Sequence, residues 1–301
     1  MALTLLESAK LNSGDVYKAG VTAKFAESSE VLRLLPFQGI QGNSVKYNIE
    51  ETLPGIGFRG VNGSYTESTG IINPQTESLH IIGGDLDVDK FLLKTMGTEQ
   101  RTIQEGMKIK AIALAWTREF IKGDSETDPT TFDGLQKRIT GDALIANHAS
   151  AGPLSLAKLD EAIDAVDGAN ALLMSKAMRR RLTVAARTTA VGGNITYTMD
   201  EFGRQVTMYN DLPIVIVDKD NVNAEILGFT EASSTTSIYV VNFGEGYVQG
   251  LENGGMEVTD LGELDTKPVF RTRIEWYNGF GVFAPRSAAR LKNITDATVI
   301  A

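Results

Sequence analysis

The feature that most constrains this fold is an alternating run of residues near the C-terminus. Between residues 270 and 283, the side chains switch between two faces almost without interruption. One face carries Phe270, Thr272, Ile274, Trp276, Phe280 and Val282, and the other carries Arg271, Arg273, Glu275, Tyr277 and Phe283. A period of two predicts a β-strand, whereas a typical strand has only about 3–10 residues. A strand of this length predicts an elongated slab rather than a spherical domain.

A long helix is predicted at residues 98–122. Thr98 is a suitable N-cap, Glu99 favours the first turn, and Lys122-Gly123 is a typical helix ending. One apolar stripe contains Ile103, Met107, Ala111, Leu114 and Ile121, and another contains Ile109, Ile112, Ala113, Trp116 and Phe120. Two stripes predict that the second half of the helix is covered on both sides. The helix would be about 37 Å long.

A long hairpin is predicted near the start of the chain. Residues 44–50 alternate between apolar and polar side chains, and a second strand-like run surrounds residues 79–82. Between them, residues 51–77 are rich in glycine and polar side chains. Loops longer than about 12–15 residues are uncommon in compact domains and are usually functional or disordered. We therefore expect a hairpin that projects from the body and needs an outside partner to stay ordered.

Residues 1–35 are predicted to form an arm. Short apolar pairs, Leu5-Leu6 and Leu34-Leu35, are separated by polar stretches of mixed charge. Such a segment buries little of its own surface, so alone it should be loose. A neighbouring subunit is the simplest partner to hold it.

The middle of the chain predicts a compact α/β domain at about 141–260. Apolar strand-like runs at 169–174, 212–217 and 238–241 are separated by helical patterns, one of which Ser175 caps.

The composition excludes several classes of protein. There is no cysteine, which rules out disulfides, thiol catalysis and cysteine-bound metals. The two histidines, His80 and His148, lie far apart in sequence and predict no metal site or triad. A net charge of −9 is unlike a dedicated DNA-binding protein, and the basic run 179–181 fits the solvated or interfacial face of a helix. No run approaches the roughly 20 apolar residues of a membrane helix, and no secretory signal is visible.

Two motifs resemble functional sites, but the sequence around them contradicts that reading. Residues 55–60 match G-x-G-x-x-G, yet turn-forming residues follow where a dinucleotide site needs a helix. Asp85, Asp87 and Asp89 alternate without the ligand set that calcium needs, which favours an acidic strand face or a helix entry. No G-x-S-x-G elbow, P-loop or H-E-x-x-H motif is present. We therefore predict no catalytic, cofactor-binding or metal-binding residue and no enzymatic activity.

The order of these elements, together with several local phrases, resembles the major capsid proteins of tailed bacteriophages. The phrases lie at residues 34–37, 47–54, 131–138, 174–180 and 209–214. The resemblance covers nearly the whole chain. It implies an α+β fold, the phage-capsid fold that encapsulins share.

The resemblance also implies a division of the chain. Residues 1–42 would be the N-terminal arm, and 43–83 a long β-hairpin called the E-loop. Residues 84–140 would belong to a peripheral (P) domain with the spine helix at 98–122. Residues 141–260 would form a compact α/β axial (A) domain, and 261–301 the closing strands of the P-domain sheet and the C-terminus.

In this family, subunits self-assemble as hexamers and pentamers into an icosahedral shell around double-stranded DNA. The resemblance therefore implies that the E-loop lies over a neighbour and that the arm reaches under another. Extended contacts of this kind suit a closed lattice. We expect loop contacts from Phe58, Arg59, Tyr65 and Glu67, and arm contacts from Leu5, Leu6 and Tyr17.

The partners implied are further copies of the chain, a portal, a separate scaffolding protein and a possible cement or decoration protein. Packaged DNA would be contacted without specificity, no membrane would be involved, and the protein would reside in the virion after assembly in the bacterial host cytoplasm. Some family members join subunits by a Lys–Asn cross-link. Lys46 and Asn278 lie in the corresponding regions, but no motif pairs them, so no bond is predicted.

Two alternatives remain open at this point. The first is an encapsulin-like nanocompartment shell that encloses a cargo enzyme. The second is a nucleotide-dependent enzyme, which rests only on the glycine pattern at residues 55–60.

Overall fold

The computed structural model describes residues 29–96, 99–187, 195–199 and 205–300. These residues form an α+β fold with three sheets, of four, seven and two strands. The predicted arm contacts Leu5, Leu6 and Tyr17 lie outside the described residues.

The strands are β1 (Phe37–Gly39), β2 (Ser44–Thr52), β3 (Ile71–Ser78), β4 (His80–Asp89), β5 (Leu144–Ala146), β6 (Ala171–Met174), β7 (Ile195–Met199), β8 (Gln205–Tyr209), β9 (Leu212–Ile216), β10 (Thr236–Val241), β11 (Val248–Glu263), β12 (Val269–Val282) and β13 (Ala288–Ile294). The α-helices are α1 (Glu30–Leu34), α2 (Lys90–Met96), α3 (Glu99–Lys122), α4 (Leu135–Arg138), α5 (Leu156–Asp164) and α6 (Lys176–Ala186), and a 3-10 turn spans Gly141–Ala143.

The four-stranded sheet has the order β1-β11-β12-β4. Its central strands, β11 with 16 residues and β12 with 14, pair antiparallel over nearly their whole length. The predicted long strand is therefore confirmed at Val269–Val282. Register shifts interrupt β11 near Gly254-Gly255 and Gly262, where positive φ angles of 73–80° suit residues without a side chain.

The spine helix α3 packs on this sheet. Its second predicted stripe is buried throughout, and Trp116 at its centre donates an indole hydrogen bond to Asn278 Oδ1 at 2.7 Å. Asn278 is therefore held inside its own subunit. The first predicted stripe is only partly covered, because Ile121 is buried while Ile103 and Met107 remain 53% and 61% exposed.

The seven-stranded sheet, β5-β13-β10-β6-β9-β8-β7, is covered on both faces at its centre. Alternate side chains enter two core clusters. The cluster that contains the spine helix includes Ala171, Leu173, Val215, Val217, Tyr239 and Val241. The cluster that contains α5 and α6 includes Leu172, Met174, Ile214, Ile238 and Val240. Strands buried on both faces read as continuous apolar runs, which is why the sequence revealed β6 and β10.

The predicted arm ends earlier than residue 42. Val31, Leu32 and Leu35 have no exposed surface and belong to the main core, and Phe37 packs between Trp116 and Trp276. Residues 30–39 are therefore part of the body. Of the two short apolar pairs that suggested a loose arm, Leu34-Leu35 instead packs on the main core at the end of α1. The contacts of this segment with the spine helix and β11 are remote in sequence.

The predicted boundary at residue 260 does not separate the strands of the two sheets. The strand β11 pairs with β12 in the four-stranded sheet from Val248 onward. The strand β13, predicted to close the same sheet, pairs instead with β10 and β5 in the seven-stranded sheet. The chain thus crosses from one sheet to the other twice after β10. Local patterns do not reveal such crossings because both sheets need the same apolar alternation.

Glu252, a half-buried carboxyl on β11, predicts that the stability of this fold depends on pH. Burial raises the pKa of Glu252, and the Trp276 indole N–H, 3.2 Å from Glu252 Oε2, partly opposes that shift. A carboxyl whose pKa is raised by folding stabilises the fold below its unfolded pKa and loses that contribution as the pH rises through its folded pKa. We expect Glu252→Gln to be more stable than the parent at pH 7 and to flatten this dependence, as measured by urea unfolding between pH 4 and 8. An unchanged slope would contradict this assignment.

Candidate inter-subunit surface

The hairpin β2–β3 forms a sheet of its own and ends in a long tip. The strands pair antiparallel from Ser44↔Ser78 to Thr52↔Ile71. We call residues 53–70, beyond the last pair, the hairpin tip. As predicted from the alternation, Val45, Tyr47 and Ile49 are half-buried, while Lys46, Asn48 and Glu50 are exposed.

Hydrogen bonds within the tip give it a defined shape. The Ser68 hydroxyl donates to the Gly55 carbonyl at 2.8 Å, and the Gly63 amide donates to the Gly60 carbonyl at 3.0 Å. The Arg59 guanidinium donates to the Gly63 carbonyl at 3.2 Å. Gly70 approaches so closely that a Cβ there would lie 3.0 Å from the Thr52 carbonyl oxygen. The G-x-G-x-x-G pattern thus serves a folded tip, with no helix after it to hold a phosphate.

All four predicted loop contacts lie on the surface of the tip. Phe58 is fully exposed, and Glu67 is exposed as well. The Arg59 guanidinium carbon lies 5.2 Å from the centre of the Tyr65 ring, a cation–π contact that brings these two residues together. Their roles as contacts with neighbouring subunits stay a prediction.

The tip exposes more apolar surface than the sequence analysis selected. Ile56 and Val61 are 98% and 96% exposed, and Leu53 is largely exposed as well. Contiguous exposed apolar side chains mark interaction surfaces in soluble proteins. The signal was available in the sequence, since these residues stand among glycines where no core is expected.

The root of the hairpin is fixed by a group that the sequence analysis missed. Arg138, on α4, donates two hydrogen bonds to the Glu77 carboxylate on β3, one of them at 2.7 Å from Nη2 to Oε2. Both side chains are less than one-fifth exposed. Tyr47 Oη lies 3.2 Å from Glu77 Oε1 and also 3.2 Å from the Val282 carbonyl oxygen. We call Tyr47, Glu77 and Arg138 the root clamp.

Aromatic contacts complete the root clamp. The Tyr47 and Phe283 ring centres are 4.6 Å apart, and the Arg138 guanidinium carbon lies 4.7 Å from the Phe280 ring centre. Burial and the neighbouring Glu77 carboxylate raise the pKa of Tyr47 to about 12. A cleft of about 300 Å³ beside these residues separates the hairpin from the body. The hairpin is therefore tied to the body by a few polar and aromatic contacts rather than by a packed core.

The acidic run on β4 faces arginines of the neighbouring strand β12. Asp85 accepts from Arg273 at 2.7 Å and Asp87 accepts from Arg271 at 2.6 Å, which lowers the pKa of both carboxyls. Asp89 accepts the amide of Phe91 at 2.7 Å and so begins α2. The prediction of an acidic strand face and a helix entry is confirmed. In the described part of the chain, no group of three or more metal-ligating side chains is present.

The basic run on α6 divides between ion pairs and an open cleft. Arg181 pairs with Asp296 at 2.7 Å, whereas Arg179 and Arg180 line a cleft of about 450 Å³ together with Lys176 and Lys219. No described helix is long and apolar enough to cross a membrane.

No family model matches the sequence, and no curated protein matches it. The fold is similar to the holo-SrpI encapsulin complex of Synechococcus elongatus PCC 7942, with a TM-score of 0.66 and 17% identity over 90% of this chain and 89% of that one.

Two further structures are similar to nearly the same degree. The capsid of a native GTA particle gives a TM-score of 0.66 at 16% identity, covering 89% of this chain and 91% of that one. A structure from Microbacterium phage Oxtober96 gives 0.64 at 14% identity, covering 89% and 90%. The coverage is nearly complete in both directions. This chain has the capsid fold that tailed phages and encapsulins share.

Proposed function

We propose that this chain is a major capsid protein that self-assembles into a closed shell, with no enzymatic activity of its own. The observation that carries the proposal is the hairpin tip, where Ile56, Phe58 and Val61 are almost completely exposed on a segment that its own hydrogen bonds keep in shape. Apolar side chains held away from the body stabilise nothing within the subunit. They gain free energy only when another molecule covers them.

A second copy of the chain is the partner that this geometry favours. The tip and the surface that receives it would be different patches of one molecule, which makes a head-to-tail contact. Such contacts close into rings when the rotation between copies allows it. We propose rings of five and six subunits, joined into an icosahedral shell, with Phe58, Arg59, Tyr65 and Glu67 on the neighbour and with Leu5, Leu6 and Tyr17 of the arm beneath another.

The proposed content of the shell is double-stranded viral DNA. Arg179 and Arg180 beside the cleft on α6 offer contacts to phosphate without base specificity. Elsewhere the net charge of −9 limits adhesion to DNA. A portal, a separate scaffolding protein and a possible cement protein complete the proposed set of partners, with assembly in the host cytoplasm and a final place in the virion.

An encapsulin-like compartment for a cargo enzyme is the second candidate. The similarity to an encapsulin complex, which equals that to the GTA capsid, supports it. The two functions differ in what the shell encloses and share the assembly itself.

Electron microscopy of the purified protein tests the proposal. We expect closed shells of uniform diameter, and nuclease-protected double-stranded DNA inside particles taken from infected cells. A single co-purifying protein inside DNA-free shells would favour the compartment. A monodisperse monomer under all assembly conditions would contradict both candidates.

A further inference from the structure

The exposed apolar side chains of the spine helix form a surface with no cover in the described structure. Ile103 and Met107 lie one turn apart and are 53% and 61% exposed, and the next stripe members, Ala111 and Leu114, are half-buried. The same stripe is fully buried only at Ile121. We call Ile103, Met107, Ala111 and Leu114 the open stripe.

The first described residue of the chain lies beside the C-terminal end of this stripe. Ser29 is the first described residue, and its hydroxyl oxygen lies 2.8 Å from Thr117 Oγ1, with both residues buried. On a helix, Thr117 lies between two pairs of neighbours three and four residues away. Leu114 and Ile121 belong to the first apolar stripe, and Ala113 and Phe120 belong to the buried one. Thr117 therefore stands at the edge of the open stripe. Residue 28 is therefore attached at the C-terminal end of the open stripe.

The preceding residues have the length and the composition to cover the stripe. Thr117 lies ten residues beyond Met107, which is about 15 Å along the helix axis. Residues 18–28 would span about 16 Å as a helix and about 36 Å as an extended chain, so they reach Met107 in either conformation. They carry Val21 and Phe25, four residues apart, among small residues.

We propose that residues 18–28 dock on the open stripe of their own subunit and place Val21 and Phe25 against Met107 and Leu114. A segment tethered at the edge of the surface it covers binds at a high effective concentration, which favours the same copy over a second one. The residues before it, including Leu5, Leu6 and Tyr17, then leave from the exposed end of the spine helix and remain available for a neighbour. This contact lies within one subunit and is independent of shell formation.

Photo-crosslinking tests the docking directly, because the chain contains no cysteine. A benzophenone maleimide is attached to the full-length K110C variant and to V222C as a matched control. Lys110 is exposed and lies beside the open stripe, three residues after Met107, so the probe borders the docking surface without occupying it. Val222 is also well exposed, at 73%, but lies in the connection between β9 and β10. Natural-abundance and ¹⁵N-labelled subunits are mixed in equal amounts before irradiation, and the captured peptides are identified by mass spectrometry.

We expect adducts of K110C to fall within residues 18–28, to carry one isotopic label, and to be absent from V222C. Val21→Asp combined with Phe25→Asp should abolish these adducts and raise the rate of maleimide labelling of M107C about tenfold, since two apolar side chains no longer cover it. Adducts with mixed labels would show that a second copy occupies the stripe and would overturn the assignment. So would adducts elsewhere in the chain, or a yield no higher than that of the control.

Discussion

A subunit in which Asn-Gly replaces residues 53–70 is expected to fold and remain soluble but to form no closed shells. Thr52 and Ile71 are direct partners in the hairpin ladder, so a two-residue turn joins them in the existing register, and Asn-Gly suits that turn. The hydrogen bonds of the tip described above run between tip residues, so their loss removes no support from the body. What is lost is the exposed apolar surface that the proposal assigns to the neighbour.

The free energy of unfolding should not fall by more than about 0.5 kcal/mol, because the core is intact, and the shorter loop lowers the entropy cost of closing the hairpin. Urea unfolding, light scattering after size-exclusion chromatography, and negative-stain images measure stability, mass and assembly on the same sample. Phe58→Asp is the smaller change and should weaken assembly in the same direction. Val222→Asp alters a well-exposed apolar side chain outside the tip and should assemble normally.

Two outcomes would count against the role of the tip. Shells of normal yield from the Asn-Gly variant would mean that the tip makes no essential contact. Loss of folding would mean that the tip belongs to the core of its own subunit, which its exposure argues against.

The regular elements were predictable because their burial follows a simple period. The spine helix begins at Glu99 and the long strand spans Val269–Val282, each within a residue of the prediction. Each of them packs one or both of its faces against a single large core, so the spacing of its apolar residues is unbroken. The hairpin was visible for the opposite reason, since a long glycine-rich stretch between two strands has no place inside a compact domain.

The strand β11 was not predictable from local patterns. Its Asn253-Gly254-Gly255 sequence is typical of a turn, but in the fold these glycines accommodate a register shift within a 16-residue strand. The helix α1 was missed because five residues are too few to show a helical period. Contacts that are remote in sequence fix both elements. The strand β11 is held by β12, and α1 is held by the spine helix, more than 80 positions away.

The root clamp shows the same limit for the functional surface. Glu77 and Arg138 are 61 residues apart, and each looks like an ordinary charged residue in its own segment. Only the fold brings the end of β3 against α4. The composition of residues 53–70 was enough to identify the hairpin tip, whereas the residues that fix its orientation could not be identified from the sequence.

The root clamp leads to the second prediction of large effect. Glu77→Gln is expected to leave a folded subunit whose hairpin is less firmly oriented, and to give fewer shells with a broader range of diameters. The substitution keeps the shape of the side chain but leaves the largely buried Arg138 guanidinium without its countercharge. Removing one partner of a buried pair costs about 3–5 kcal/mol, and the partial exposure of this pair reduces the expected loss of stability to about 1–3 kcal/mol.

Matched variants distinguish an effect on the orientation of the hairpin from a general loss of stability. Arg138→Lys keeps the charge but removes the two-pronged hydrogen bonding, so it should give the same assembly defect with a smaller loss of stability. Glu263→Gln breaks the Lys90–Glu263 pair, whose side chains are about two-fifths exposed, and should change neither property measurably. Hydrogen exchange of the β2 amides reports the hairpin itself and should accelerate in the two clamp variants alone. If exchange accelerates while shell diameters stay uniform, the clamp stabilises the hairpin without directing assembly, because the neighbour that receives the tip is then sufficient to set its angle.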